Sequence, residues 1–340
     1  MLHRKNFIYF RFFQKSLKGR AYALDKIMKQ RILHILLAGL IIGQGVSAQQ
    51  DPSFSQSRSV LTYYNPAAAG SNDRICLNLD HREQWVGFKG APSTSFFSAD
   101  GSFSFFGADH GLGLTILNDA YGFNTDLGIS LDYAYRVDLG SGKLGIGLSL
   151  GLMNKALDPD WITPDGMGDI QGDPYIPQNK ESRVGFDLGF GFFYRSENLF
   201  LGISTTHLNQ ARIQYENASQ YLVRHYYLTG GYNLQLANPM FEILPTFVLS
   251  SDGRANQLYL NTNLRYNKRF WGGVSYRAGD AIVGIAGVEL FNGIRIGYSY
   301  DFNVSRISKY SSGGHEFTVG YCFDLSLDKT PQKYKSIRFL

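Results

Sequence analysis

Cysteine is nearly absent. Cys76 and Cys322 are the two thiols in 340 residues, too few for a disulfide scaffold or a cysteine zinc site. Long apolar runs are missing too. After residue 48 no stretch reaches the ~20 residues that a membrane-spanning helix needs. Heptads and low-complexity linkers are absent, so neither a coiled coil nor a tether organises the chain. Excess positive charge is missing wherever the fold is expected. The formal net charge is +5, but residues 1–48 hold nine Lys/Arg and one acid, leaving 24 basic against 27 acidic side chains, a net −3. The basic pI is therefore no argument for a nucleic-acid partner. Glycine (38), tyrosine (22) and phenylalanine (25) are plentiful, a composition that favours strands.

The N-terminal region reads as an export signal. Met28, Lys29 and Arg31 precede an apolar core from Ile32 to Ile42, and Val46-Ser47-Ala48 supplies small residues for cleavage. The reading is a signal peptide over 28–48 cut after Ala48. Residues 1–27 are then an extension from a mis-called start. The segment 49–74 is expected in the periplasm or the lumen, and 325–340 as a periplasmic tail.

Between them the chain alternates. Leu127, Ile129, Leu131, Tyr133, Tyr135 and Val137 share one face, and Asp126, Gly128, Ser130, Asp132, Ala134 and Arg136 the other. Residues 143–153, 184–194, 293–302 and 314–324 repeat the pattern. Successive strand side chains point to opposite faces, and in a membrane barrel one face meets lipid and the other the lumen. A soluble sandwich also alternates but has fewer strands. About fourteen strands are predicted over 75–324, starting near 75, 95, 111, 124, 143, 183, 199, 225, 241, 256, 269, 281, 293 and 314. The longest gaps (83–94, 118–123, 156–182, 207–224, 251–255, 277–280, 303–313) alternate with short turns near 106–110, 138–142, 195–198, 236–240, 267–268 and 290–292, as in bacterial outer-membrane barrels. The fold class is an all-β, transmembrane antiparallel β-barrel in the outer membrane, with both termini periplasmic. Tyr63, Tyr64, Tyr194, Tyr226, Tyr227, Tyr232 and Trp271 are assigned to interfacial girdles.

Catalytic motifs fail on context. Gly147-Leu-Ser149-Leu-Gly151 matches a nucleophile elbow but lies inside an alternating strand, not at a strand-to-helix turn. Gly140 to Gly145 matches a dinucleotide fingerprint with no helix to follow, and reads as a hairpin turn. No catalytic residue and no cofactor is assigned. Asp165, Asp169 and Asp173, in an Asp-rich loop, are a weak calcium candidate against the ordinary reading of an acidic surface loop. The seven histidines are scattered, none at ligand spacing with Cys or Glu. Cys76 and Cys322 fall on the lumen side of the first and last strands, which are neighbours in a closed barrel. A seam disulfide or two unpaired thiols are the alternatives.

Two segments resemble a known family. Gln49-Gln50-Asp51-Pro52-Ser53-Phe54-Ser55-Gln56, followed by Asn65-Pro66-Ala67-Ala68-Ala69-Gly70, resembles the PorP/SprF family. So does His81-Arg82-Glu83-Gln84-Trp85-Val86-Gly87, continuing through Gly90-Ala91-Pro92-Ser93-Thr94. Members are outer-membrane proteins of Bacteroidetes linked to type IX secretion and gliding motility. The resemblance implies a barrel without enzymatic activity that helps export or attach large adhesins. Its expected partners are membrane lipid, a secreted adhesin and periplasmic proteins of the secretion machine. Asp51, Pro52, Asn65, Pro66 and Gly70 carry the N-terminal motif. Arg82, Gln84, Trp85, Gly87 and Pro92 are expected to contact a partner or to latch the first loop into the barrel mouth, Arg82 stacking on Trp85 or forking onto a carboxylate. The rival functions are a general porin and, less favoured, an outer-membrane enzyme.

Overall fold

The structure, a computed structural model, describes residues 51–159, 179–216 and 219–324. The extension, the signal segment, the C-terminal tail and the calcium candidate Asp165, Asp169 and Asp173 lie outside the described residues. So do Gln49 and Gln50.

Fourteen strands follow one another round a ring: β1 (Ile75–Glu83), β2 (Ser93–Phe105), β3 (Ala108–Tyr121), β4 (Asn124–Leu139), β5 (Gly142–Leu157), β6 (Glu181–Ser196), β7 (Leu199–Thr206), β8 (His225–Tyr232), β9 (Phe241–Ser251), β10 (Asn256–Tyr266), β11 (Phe270–Arg277), β12 (Ala281–Glu289), β13 (Ile294–Asn303) and β14 (Gly314–Phe323). Each pairs antiparallel with its neighbours in sequence, and β14 pairs with β1 to close the sheet. Closure satisfies every strand edge, which hydrocarbon could not do. Among the described residues no helix is long and apolar enough to cross a membrane.

Alternation sorts side chains as the pleat requires. On β4, Leu127, Ile129, Leu131 and Tyr133 face outward and are exposed, while Asp126, Asp132, Ala134 and Arg136 are buried inside. The outward apolar belt continues through Leu148, Leu150, Val184, Phe186, Ile203, Val274 and Phe317. Bare to water it would be untenable; against lipid it is the stable face.

One end of the barrel carries tight turns, such as Phe106–Gly107, Gly140–Ser141 and Asn267–Lys268. Asn267 and Lys268 both have positive φ, 50° and 55°, which suits a hairpin turn that follows strand twist. The other end carries the long connections, including 158–180 and 207–224. The latter holds a small hairpin, Arg212–Gln214 with Ser219–Tyr221. The expected loop 118–123 is not one. β3 runs to Tyr121, leaving Gly122-Phe123 as the turn. Asn118 and Asp119 look like loop residues, but Asp119 points inward and accepts a hydrogen bond from Thr94 at 2.6 Å. Polar residues facing the lumen continue a strand rather than end it.

The lumen is filled by the chain itself. Residues 51–74 thread through it, with a single turn α1 (Leu61–Tyr64) and a 3-10 turn at Pro66–Ala68. Phe54, Val60 and Tyr64 pack against Phe96, Tyr227, Val248 and Tyr259 of the wall. Phe54, Tyr63 and Tyr64 meet edge to face with centroids 5.0 Å apart in each successive pair. Burying the Phe54 ring contributes about 1.5–3 kcal/mol. Tyr63, Tyr64 and Tyr227 are therefore core residues, not girdle residues. Tyr226 and Tyr232 do face outward. Aromatic content alone could not tell an interfacial belt from a lumenal plug.

Threading also separates the ends. The barrel's first strand starts, and its last strand finishes, at the short-turn end. Asp51 instead lies at the long-loop end, beside the end of β7 and the start of β8. The segment crosses the lumen before β1 begins, so Asp51 and Phe323 do not share an end.

Candidate functional site

The plug is held by three sets of contacts. The first is a buried charge network around Ser55. Arg82 and Arg277 project inward from β1 and β11, and Asp301 and Glu316 from β13 and β14, all almost completely buried. Arg82 Nη1 lies 2.9 Å from Glu316, and Arg82 Nη2 also pairs with Asp301. Arg277 Nη1 reaches Asp301 at 2.9 Å. Arg277 Nη1 also pairs with Asp280 at 3.0 Å, so two cations face three anions, and further hydrogen bonds go to the plug. Glu316 accepts the backbone N–H groups of Ser55 and Gln56 at 2.6 and 2.7 Å. The Ser55 hydroxyl donates to Asp301 at 3.0 Å and accepts from Arg82 at 2.8 Å and Arg277 at 3.0 Å. Such a network is stabilising to the extent that its groups are paired, because unpaired buried charge is costly. Ser55 and Gln56 supply partners to it, while the Nε of Arg82 and of Arg277 have none.

The second set uses the small-residue inner face. Gly147 and Gly111 lie where the plug backbone touches the wall. A Cβ on Gly147 would sit 2.2 Å from the Ala67 nitrogen, and one on Gly111 2.0 Å from the Ala69 oxygen. Neither contact yields cheaply, since backbone meets backbone and one of the two must shift. Asn65 supports the same turn: its Oδ1 accepts from Ala67 N–H at 2.9 Å and its Nδ2 donates to the Phe192 carbonyl at 2.9 Å. Pro66 follows at the first position, where its missing N–H costs nothing. Gly70 donates its N–H to Asp100 at 2.9 Å, and its carbonyl accepts from Arg136 at 2.7 Å.

The third set lies at the long-loop end. Asp51 sits against His207 and His225. His207 Nε2 is 3.3 Å from Asp51 Oδ1, and His225 Nδ1 is 3.3 Å from Asp51 Oδ2. The Tyr227 hydroxyl donates to Asp51 at 2.7 Å. Burial works against the Asp51 carboxylate, but the two imidazoles outweigh it and hold the group well below the usual carboxylate range. In the same segment, burial lifts the hydroxyls of Tyr63 and Tyr64 well above the usual tyrosine range. Above these residues opens a cavity of about 640 Å³, lined among others by Pro52, Tyr63, Gln84, Trp85, Asp126 and Lys155.

The sequence-assigned residues scatter between these features. Arg82 belongs to the Ser55 network and does not stack on Trp85. Arg82 is a strand residue pointing inward, whereas Trp85 already lies in the loop with φ of 54°. Gln84, Trp85 and Pro92 line the cavity, and Gln84 N–H donates to the Pro92 carbonyl at 2.9 Å. Gly87, with φ of 94°, turns the same loop. That loop docks on the last one, since Val86 and Gly313 are joined at 2.8 Å. Cys76 and Cys322 sit opposite each other across the β1–β14 seam and are joined by a disulfide. Ser149 lies within β5, without the strand-to-helix turn that an elbow needs.

The Asp51–His207–His225 cluster was invisible to spacing. Its members are 156 and 174 residues from Asp51, and only threading and barrel closure bring them together. The available signal was positional: both histidines flank the connection 207–224, and Asp51 opens the motif segment.

Solved structures to which the chain is similar are barrels. The Acinetobacter baumannii outer membrane protein Omp33 is 7% identical, over 74% of this chain and 99% of that one, with a TM-score of 0.42. BamA from Haemophilus ducreyi lacking POTRA domains 1–3 is 12% identical, over 73% and 70%, TM-score 0.42. The Pseudomonas putida toluene transporter TodX is 9% identical, over 79% and 93%, TM-score 0.41. Among curated proteins nothing matches. The family model described as type IX secretion system membrane protein PorP/SprF matches residues 46–321, and with most of the barrel and its plug inside that span the chain belongs to the PorP/SprF family.

Proposed function

We propose that this outer-membrane barrel is a plugged, non-enzymatic platform that binds protein partners and supports type IX secretion or the surface attachment of large adhesins, in a gliding-linked system. One observation carries the reading: residues 51–74 fill the lumen and are bonded to the wall along their length. A solute channel needs a water-filled path, and here aromatic rings and a buried charge network lie in it. Family membership supports a place in the secretion system. In this reading the long-loop end faces the exterior and the short-turn end the periplasm, following the usual asymmetry of bacterial barrels. The mouth cavity is then available to a secreted client, and the short-turn end to periplasmic components of the machine.

Planar-bilayer recording separates this from a porin. The full barrel is expected to show no steady conductance, while a variant lacking residues 51–74 conducts. A large, steady open state in the full barrel refutes the plugged reading. Deleting the gene tests the role: adhesin export or display should fall, and unchanged export refutes it. Pull-down of the detergent-solubilised protein with mass spectrometry then identifies the client and the machine component.

A further inference from the structure

We propose that Asp51, His207 and His225 form a binding site for a divalent transition metal of the zinc class, which ties the N-terminal segment to the barrel wall. The site stands on its own geometry and does not depend on the partner reading.

The donor set is chemically suited. Imidazole nitrogen and carboxylate oxygen are common zinc ligands, and two histidines with one carboxylate is a known three-ligand set. The ligand atoms of all three residues lie within 4.8 Å of one another. The spacing is informative. The two His–Asp separations are both 3.3 Å. That is long for an N–H···O bond, which prefers about 2.7–3.2 Å. The two contacts use different oxygens, His207 facing Oδ1 and His225 facing Oδ2, so the carboxylate lies between the two rings.

The surroundings orient the ligands. Metal-binding imidazoles usually donate their other N–H to a carboxylate or carbonyl. His207 Nδ1 lies 3.0 Å from Asp187 Oδ1, and in the tautomer that donates Nδ1–H to Asp187 the Nε2 lone pair faces Asp51. His225 Nδ1 lies 3.0 Å from the Val223 carbonyl, and its Nε2 lies 3.4 Å from the Asp51 backbone nitrogen. In the tautomer that donates Nδ1–H to Val223, Nε2 carries the lone pair, and a bound ion takes the place of the Asp51 N–H that it faces. The Tyr227 hydroxyl holds the Asp51 carboxylate at 2.7 Å. Three protein ligands leave one position open. Asp51, His207 and His225 all line the 640 Å³ cavity, so an ion can enter from the mouth and the open position meets solvent or an incoming ligand.

The consequence is a staple. Asp51 lies on the plug, and the histidines at the ends of β7 and β8. A bound ion fixes the start of the plug to the wall, as the Ser55 network fixes its middle.

The test uses the full barrel in detergent, purified without a histidine tag and stripped with chelator. Calorimetric titration with Zn²⁺ should show one ion per chain, and Co²⁺ should give the visible absorption of a tetrahedral site. His207→Gln with His225→Gln should abolish both signals while keeping the heat-dependent gel shift of a folded barrel. Asp187→Asn removes no ligand and should weaken Zn²⁺ binding about 10- to 100-fold. Absence of stoichiometric Zn²⁺ binding in the unmodified chain overturns the proposal. So does undiminished binding in the double histidine variant, and in either case the cluster is an ion-paired contact only. Unchanged affinity in Asp187→Asn overturns the orienting role of that carboxylate.

Discussion

The two faces of the barrel wall are built from the same strands and obey different rules. Outward residues such as Leu131, Leu150 and Val274 meet a featureless solvent, and any large apolar side chain serves. Inward residues meet one particular partner, the segment from Asp51 to Arg74. Arg82, Glu316, Asp301 and Gly147 each match a specific atom of it. The outward face therefore tolerates exchange within a class, and the inward face does not tolerate exchange even of a hydrogen for a methyl.

The largest expected break of that contrast is Arg82→Ala. Removing one member leaves buried carboxylates uncompensated, which costs about 3–5 kcal/mol. Denaturant unfolding followed by tryptophan fluorescence measures the loss, and a change below about 1 kcal/mol would mean the network is not what holds Ser55. On the outward face, Leu131→Arg should cost about 2–4 kcal/mol if Leu131 sits near the bilayer midplane. Leu131→Ile at the same position should stay under about 1.5 kcal/mol. Similar losses from both exchanges would deny that this face is read by lipid.

Reduction of Cys76–Cys322 probes the seam. The bond closes a loop spanning 246 residues, and its loss should lower stability by about 2–4 kcal/mol. Thermal unfolding with and without reductant gives the figure, and no shift would deny the bond a stabilising role. On the inward face, Gly147→Ala should cost about 1–3 kcal/mol of overpacking. Its sharper readout is local. A displaced Ala67 should open residues 51–74 to protease while the strands stay protected, and an unchanged digestion pattern would show that the wall yields instead.

Much of this fold was legible in the chain. Strand starts at 75, 124, 199, 225, 241, 256, 281 and 314 coincide with the elements observed, because a period of two and turn chemistry are local properties. Closure made Cys76 and Cys322 neighbours, but the choice between a disulfide and two thiols waited on the register that sets them opposite each other. What escaped was the inside. Gly147 could be placed within an alternating strand, but nothing local reports that the Ala67 backbone meets it. Tyr63 and Tyr64 read as a girdle for the same reason. Arg82 was open to stacking on Trp85 or to forking onto a carboxylate; the carboxylates it meets, Asp301 and Glu316, lie more than two hundred residues away and could not be named from the sequence.

By itself the sequence determined a closed antiparallel barrel of about fourteen strands with an apolar outer face, since alternation and turns are set by neighbours along the chain. Only the tertiary structure decided that the lumen is filled, which charges meet there, and that Asp51 joins His207 and His225. Those are contacts between residues whose proximity costs a long loop closure, and no local pattern reports where such a loop will close.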